Sequence, residues 1–284
     1  MVAIQVIFNG IATGAIYSLI ALGLVMILRA LDLINFAHGE MVMVGGFFAI
    51  TLNVSFGLPF TLAFVLAILG VGIVGLIIER FAIRTIKGQT LLSVITSTIA
   101  VGLIIQTWGL VTYGGEAIGL PHPLGEEFLD VFGLKILPQQ IVIIGVTLLL
   151  MLLLQAFFYL TRIGTAMRAV MNDRETASLM GVNVRLMMAL TFAISVALGG
   201  AAGVLVAPMT FVTFNMGIIV VKAFAALILG GMFSFPGAII GGLLLGVFEN
   251  IVRGFVSSAY GDTLIFALLI LVLITRPEGL IATK

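Results

Sequence analysis

Cysteine is absent from the 284-residue sequence, and only 9% of its residues are charged. Without thiols the chain has neither a disulfide framework nor a thiolate metal site. The two histidines, His38 and His122, lie in unlike settings, so we do not expect them to share a metal. A formal net charge of +1 gives no indication of nucleic-acid binding.

Motifs of catalysis and nucleotide binding are missing too. No Gly-Lys-Ser/Thr triplet occurs, so a P-loop cannot form, and there is no His-Glu-x-x-His. Serine, histidine and carboxylate residues follow no hydrolase signature. We therefore expect no enzymatic activity and no cofactor bound by this chain, and look instead for a translocation path and a coupling device.

Apolar residues dominate the composition. They make up 62% of the chain, with a mean hydropathy of +1.33, which is more apolar surface than one soluble core can cover. A hydrocarbon core about 30 Å thick requires roughly 20 apolar residues in a helix. Six windows reach that length, namely Ala3–Leu28, Pro59–Ile78, Leu91–Thr112, Ile141–Leu160, Leu186–Ala207 and Ala223–Phe248, and two are marginal, Met41–Val54 and Thr263–Thr275.

The continuity of these windows predicts helices, because barrel strands would alternate polar and apolar residues over about ten positions. The expected fold class is an all-α, polytopic integral membrane protein with about eight hydrophobic segments, organised as one transmembrane domain over residues 1–284. No charge precedes Arg29, so the positive region of a cleaved signal peptide is missing and we expect the first helix to be retained.

Lysine and arginine in short loops predict which loops face the cytoplasm. Basic residues cluster in one loop near residue 84 and in a second loop, 162–186, whereas the loop 113–138 is acidic and is predicted to be external. The basic residues are Arg80, Arg84, Lys87, Arg162, Arg168, Arg174 and Arg185, and the acidic ones are Glu116, Glu126, Glu127 and Asp130.

Counting crossings from these loops puts the N-terminus outside and the C-terminus, with Arg276 and Lys284, inside. The region Ala223–Thr275 then needs an odd number of crossings, whereas two plain helices would give an even number. The glycines and proline at 230–237 favour a broken or re-entrant segment there. Irregular backbone inside a membrane must be surrounded by protein or by a water-filled cavity.

Four pairs of glycines are spaced one helical turn apart within the predicted helices. Such pairs allow neighbouring helices to approach closely in lipid. The close approach could lie within one chain or at a subunit interface. The pairs are Gly10 with Gly14, Gly199 with Gly203, Gly237 with Gly241, and Gly242 with Gly246.

The cytoplasmic stretch 162–186 has the pattern of a short helix. Asn172 is expected to cap a helix over Asp173–Met180, with a capping-box bond from Glu175, and Gly181 suits the left-handed position after it. Ala177 and Gly181, at i,i+4 spacing, would present a low surface to a partner. The alternative is an ordinary loop whose arginines only set the orientation.

Several motifs together resemble a known family. The segment 175–181, Glu-Thr-Ala-Ser-Leu-Met-Gly, resembles the loop by which permeases of ABC importers dock into their ATPase subunits. Other stretches are similar to the branched-chain amino acid permease family, and within it to the shorter of two paired subunits. These stretches are Asn9-Gly10, Gly14-Ala15-Ile16-Tyr17, Ile34–Glu40, Arg168-Ala169, Met180-Gly181-Val182-Asn183 and Arg276–Leu280.

This resemblance implies a subunit of the bacterial inner membrane that pairs with a second permease, two ATPase subunits and an external substrate-binding protein. ATP would be bound by the ATPase partners. The residues it implies for ATPase coupling are Arg168, Asp173, Arg174, Glu175, Ala177 and Gly181.

Two polar groups are candidates for the translocation path. Gln5, Asn9, Thr13 and Tyr17 recur every four residues and form a stripe that must face protein or water. The stripe could bond to a neighbouring helix or line the path. Asn35, His38 and Glu40 form a cluster between two hydrophobic segments, either functional within the bilayer or solvated at its cytoplasmic surface.

Rival functions remain open. Permeases for urea and short amides are closely similar, and the sequence does not separate them from amino acid permeases. An ion-coupled secondary transporter is a further alternative, although such carriers hold a carboxylate in mid-span, whereas the carboxylates of this chain are predicted in loops or near the ends of spans. A free-standing channel is disfavoured by the docking segment.

Overall fold

The computed structural model describes residues 2–85, 91–125, 127–131, 134–258, 260–276 and 278–281. Lys87, Glu126, Pro277 and Lys284 lie outside these ranges. The helices are α1 Val2–Leu31, α2 His38–Ile50, α3 Phe60–Ile78, α4 Leu91–Tyr113, α5 Pro138–Leu160, α6 Arg162–Asn172, α7 Arg174–Leu179, α8 Val184–Val206, α9 Ile219–Gly230, α10 Phe235–Phe255 and α11 Gly261–Thr275.

Short irregular elements complete the fold. Single π-helical turns extend α2 over Thr51–Ser55 and α3 over Glu79–Ile83, and a 3₁₀ turn, Met216–Ile218, precedes α9. In the loop 113–138, strands β1 Leu129–Val131 and β2 Leu134–Ile136 pair antiparallel, with Asp130 opposite Lys135. Within the described residues, β structure thus consists of this hairpin and one antiparallel bridge between Ile118 and Val212.

Six helices in the described residues are long and apolar enough to cross a membrane. They are α1, α3 with its π turn, α4, α5, α8 and α10. The prediction of an all-α, multi-pass membrane protein is confirmed. The window Ala223–Phe248, however, is not one helix, because α9 ends at Gly230 and α10 begins at Phe235.

Polar contacts define two ends of the molecule. At the end that we call the arginine-rich end, Arg174 pairs with Asp32 at 2.6 Å and Arg84 donates to the carbonyl of Arg185 at 3.2 Å. At the opposite end, Gln5 near the start of α1 donates to the carbonyl of Lys135 in the acidic loop. The basic loops and the acidic loop therefore lie at opposite ends, as the distribution of charges predicts.

The described termini also lie at opposite ends. The start of α1 lies beside the acidic loop through Gln5. Near the C-terminus, the amides of Leu280 and Ile281 donate to the carbonyls of Leu229 and Gly230 at the arginine-rich end. The two described ends of the chain therefore have the relative placement that the crossing count predicts.

Helix α2 begins in the middle of the helical body. After α1 the backbone turns back at Asp32, which has a φ of +51°. His38, the first residue of α2, packs against Gly23 and Gly199, with its ring 2.8 Å and 3.2 Å from the points that their Cβ atoms would occupy. Since Gly23 precedes the end of α1 by about 12 Å of helix, residues 32–37 re-enter the body before α2 starts.

Helix α9, like α2, begins in the middle of the helical body, but the segment before it enters from the opposite end. Beyond α8, residues 207–218 turn back inward, so that Val212 lies against Gly46 and Gly217 against Gly39, both in α2. From this depth α9 runs to Gly230 at the arginine-rich end. The chain from the end of α8 to Thr275 thus makes three passes, through α9, α10 and α11, which is the odd number predicted.

The break between α9 and α10 lies at a different depth from the one expected. Gly231 turns the chain with a φ of +121°, and the Ser234 hydroxyl caps α10 by accepting from the Gly237 amide at 3.0 Å. Arg29 covers the ring of Phe235 at 5.6 Å, which puts the break at the arginine-rich end. The prediction of a broken segment at 230–237 is therefore confirmed, whereas its re-entrant alternative is wrong there. The re-entrant segments are 32–37 and 207–218.

The glycine pairs pack helices within this chain. Gly10 and Gly14 of α1 meet α10 at Gly242 and Gly246, where a Cβ on Gly14 would lie 2.8 Å from the Cα of Leu243. Gly199 and Gly203 of α8 meet α2, and Gly237 and Gly241 of α10 meet α9. Helices α1, α2 and α8 form the buried centre, whereas α3, α4 and α5 expose most of their apolar residues, as lipid-facing helices do.

Candidate coupling and translocation sites

The start of α7 is capped by Asp173. Its Oδ1 accepts from the amides of Glu175 and Thr176, and its Oδ2 accepts from the Thr176 hydroxyl at 2.6 Å. The bonds from Thr176 hold the pKa of Asp173 below its usual range. The predicted cap, Asn172, is the last residue of α6, and α7 spans Arg174–Leu179 instead of Asp173–Met180. Because Asp173 is the cap, the third position of α7 is Thr176, and Glu175 is not placed to close the predicted capping box.

The end of α7 follows the prediction. Gly181 has a φ of +82°, and no heavy atom lies within 4 Å of the position that its Cβ would take. Its amide donates to the carbonyl of Ser178, and the amide of Val182 donates to that of Ala177, both at 3.0 Å. This pair of bonds is a Schellman motif, which needs a left-handed residue where glycine stands.

The exposed surface of α7 differs from the predicted one. Ala177 is only 4% exposed and packs inward, so the prediction that it faces a partner together with Gly181 is wrong. Leu179 and Met180 are instead 88% and 80% exposed. We call these two side chains the apolar tip. They were missed because two apolar residues at the end of a two-turn helix give no periodic signal.

The arginines near α7 bind their own chain. The Arg174–Asp32 ion pair joins α7 to the start of the re-entrant segment 32–37. Arg168 donates to the carbonyl of Phe158 at 3.0 Å, and its guanidinium lies 4.4 Å from the ring centre of Tyr159, both in α5. These contacts join α6 to α5, and α7 to the segment that follows α1.

A cavity of about 670 Å³ opens between α1, α5, α9, α10 and the segment after α8. Asn9, Thr13 and Tyr17 line it. Their hydrogen-bond partners on α5 and α10 are Gln140 for Asn9 at 2.9 Å, Asn250 for Thr13 at 3.2 Å and Glu249 for Tyr17 at 2.6 Å. The polar stripe of α1 thus both binds neighbouring helices and lines a cavity.

An ion cluster closes one side of this cavity. Lys222 Nζ and Arg253 Nη2 each contact both Glu249 Oε1 and Asp262 Oδ1, at distances of 2.8 to 3.0 Å. Glu249 is 3% exposed. We call Lys222, Glu249, Arg253 and Asp262 the ion cluster. Lys222 and Glu249 thus pair within the chain at 2.8 Å.

Glu249 does not lie in a loop or at the end of a span. Its partner Tyr17 lies halfway along α1, so this carboxylate lies inside the helical body. The expectation that carboxylates are confined to loops and the ends of spans is wrong at this position. Carboxylate placement therefore does not count against ion coupling.

Asn35, His38 and Glu40 lie elsewhere. His38 is fully buried and Asn35 is 3% exposed, so the solvated alternative is wrong for both. The Asn35 side chain accepts from the Ala37 amide at 3.1 Å before α2, and Glu40 lies against Gly217. These residues do not line the 670 Å³ cavity, so the structure separates the six path candidates into two groups of three.

Comparison with known proteins agrees with this architecture. A family model described as the branched-chain amino acid transport system permease component matches residues 6–273. The chain belongs to this permease family. It is therefore a transport permease subunit that operates with other subunits of an ABC system, and its family is not a family of enzymes.

Individual relatives in the permease family cover almost the whole chain. LivH of Escherichia coli K12 is 36% identical over 98% of this chain and 95% of its own length. BraD of Pseudomonas aeruginosa is 37% identical with the same coverage. LivM of E. coli K12 is 27% identical over 94% of this chain and 68% of its own length. All three carry the name of high-affinity branched-chain amino acid transport system permease proteins, and the LivH-type resemblance is confirmed.

Proposed function

We propose that this chain is one of two different permease subunits in an ATP-driven importer of branched-chain amino acids, located in the bacterial inner membrane. Its partners are a second permease, two ATP-binding-cassette ATPases and an external substrate-binding protein. The names of LivH, BraD and LivM support this cargo, and the presence of both LivH and LivM in E. coli supports a pair of unlike permeases.

The observation that carries the proposal is the apolar tip of α7. Its backbone is fixed by the Asp173 cap and the Schellman motif, yet Leu179 and Met180 contact almost nothing in the chain. The apolar tip is exposed at the arginine-rich end of the molecule. Two adjacent exposed apolar side chains are suited to insert into a groove of a soluble partner. The proposed partner is the ATPase subunit.

Three connections can transmit motion of α7 to the helical body. Helix α6 connects α7 to α5, where Arg168 binds the last turn. Beyond Gly181 the chain continues directly into α8. The Arg174–Asp32 pair reaches the segment that precedes α2. Closure of the ATPases on ATP would thus shift α5, α8 and α2 together and alternate access to the cavity.

The cavity next to α1 is the proposed path for the cargo. It lies in the half of the molecule that faces the acidic loop, and its lining combines apolar side chains with the ion cluster. In this scheme the chain forms and breaks no covalent bond and requires no cofactor of its own, since ATP is bound by the ATPases.

Uptake by the purified complex should depend on ATP. The complex is isolated through a tag on this chain, reconstituted in liposomes with its external receptor, and supplied with radiolabelled leucine. ATP inside the liposomes should drive accumulation, because the chain acts through ATPases. An imposed proton or sodium gradient without ATP should give only background uptake. Gradient-driven accumulation without ATP would instead favour the secondary transporter.

The same preparation decides between amino acids and urea as cargo. Calorimetric titration of the co-purified external receptor should give binding of leucine, isoleucine or valine and none of urea. A receptor that binds urea or a short amide but not leucine would instead identify this chain as a permease of an amide importer.

A further inference from the structure

The ion cluster is electrically balanced. Its two cations and two carboxylates alternate in a closed ring, in which the Lys222 ammonium and the Arg253 guanidinium are each shared between Glu249 and Asp262. Glu249 also accepts from the Tyr17 hydroxyl. A solute that enters the ring must preserve this balance, because an unpaired charge inside a membrane protein is costly.

The two carboxylates of the ring are unequal. Glu249 is 3% exposed and has three donors, whereas Asp262 is 58% exposed and stands in the first turn of α11. Displacing Asp262 therefore breaks fewer contacts and returns its carboxylate to water. Asp262 is therefore the member of the ion cluster whose place a ligand carboxylate can take.

Apolar side chains form part of the remaining lining of the cavity. Ile16, Ile143, Phe211, Met216 and Ile219 contribute to its lining. Its volume of about 670 Å³ lies within the usual range of small-molecule sites, roughly 300 to 1,000 Å³. One wall thus offers paired charges, and the remaining lining combines apolar side chains with neutral polar ones such as Asn9 and Thr13. A small molecule with a charged end and an apolar end would find partners for both ends.

We propose that the ion cluster and this cavity form a binding site for the zwitterionic end of an apolar α-amino acid, an inference that rests on the proposed function and specifies its cargo chemistry. The ligand carboxylate takes the place of the Asp262 carboxylate and bridges Lys222 and Arg253. The ligand ammonium pairs with the displaced Asp262. Each charge exchanges one partner for another, so the site remains neutral.

Other ligand classes fail this exchange. A carboxylate without an ammonium leaves Asp262 without a partner, and an amine without a carboxylate cannot bridge the two cations. Urea carries no charge and cannot replace Asp262 between them. Selectivity for the zwitterion therefore follows from the charges that the wrong ligands would leave unpaired.

Cysteine labelling tests the site, because the native chain has no cysteine. Thr210→Cys introduces a thiol at an exposed residue of the cavity lining. The complex is treated with a maleimide, and labelling of this subunit is followed on a gel. Leucine at twice its Kd should slow labelling about threefold, because only the free cavity reacts. At the same concentration 4-methylpentanoate, 3-methylbutylamine and urea should leave the rate unchanged.

A variant of Asp262 separates ligand recognition from a purely structural role. With Asp262→Asn added to Thr210→Cys, the ring lacks one negative charge. Protection by leucine should fall, and protection by 4-methylpentanoate should appear, because a carboxylate alone now restores the balance. The matched charge change Glu127→Gln in the exposed acidic loop should leave leucine selectivity intact, and Ala117→Cys in that loop should label at one rate with or without leucine.

The outcomes distinguish this inference from the proposed function. Protection by urea, equal protection by all four ligands, or no protection by leucine overturns the zwitterion site. An unchanged ligand preference in Asp262→Asn overturns it as well. Absence of ATP-driven leucine uptake by the unmodified complex overturns the proposed function, whereas normal uptake without selective protection overturns only this inference.

Discussion

Replacing Leu179 and Met180 together by aspartate abolishes ATP-driven leucine uptake and leaves the protein folded in the membrane. The two side chains are 88% and 80% exposed, so the chain loses almost no packing of its own. Each buried apolar anchor of an interface contributes about 2 kcal/mol, so losing two weakens ATPase binding by roughly a thousandfold. The measurements are leucine uptake in proteoliposomes and the amount of ATPase co-purified through a tag on this chain.

A matched variant keeps the apolar character of the tip. Leu179→Met combined with Met180→Leu exchanges the two side chains and should retain the ATPase and most of the uptake, since the total apolar surface is unchanged. Normal uptake by the double aspartate variant, at equal levels in the membrane, would show that the apolar tip is not the site of coupling.

The second large effect is expected at Glu249. Glu249→Gln leaves Lys222 and Arg253 to share Asp262 and removes one of the two negative charges that balance the two cations. Removing one member of a fully buried ion pair typically costs about 3 to 5 kcal/mol. The cost at Glu249 is smaller, because Asp262 still pairs with both cations and the Arg253 side chain is 43% exposed. We expect a lower midpoint of thermal unfolding in detergent and less protein in the monodisperse fraction.

A compensating change provides the control for Glu249. Adding Lys222→Met to Glu249→Gln leaves one cation, Arg253, with one carboxylate, Asp262. The double variant should recover part of the lost stability, whereas Glu127→Gln in the exposed loop should lose none. Full stability of Glu249→Gln alone would contradict the role assigned to the ion cluster.

Sequence patterns predict the class of fold and its orientation well. Long apolar runs are set by the thickness of a bilayer, and loop charges are set by the side of the membrane. The first rule predicts helices α1, α5 and α8. The second rule predicts which loops lie together at each end of the molecule. Neither rule identifies a re-entrant segment. Residues 32–37 and 207–218 became apparent only when His38 was found against Gly23 and Gly217 against Gly39.

Candidate sites were predicted less completely, because their residues come from distant parts of the chain. The stripe in α1 was visible through its spacing, and Gly181 through the requirement for a left-handed residue. The ion cluster combines Lys222 of α9 with Glu249 and Arg253 of α10 and Asp262 of α11, and only the i,i+4 pair of α10 could have indicated it. Asp173 was passed over as a cap because Asn172 precedes it and is an equally good capping residue.

The most direct test of ATP coupling through α7 is a crosslink from Met180→Cys, the only thiol in this chain. A short thiol-to-amine crosslinker is applied to the purified complex, and the partner is identified by mass spectrometry. The account predicts a crosslink to the ATPase subunit whose yield changes when ATP is added, and leucine uptake that stops on crosslinking. An ATPase that is never crosslinked, in a complex that still takes up leucine on ATP, would contradict it.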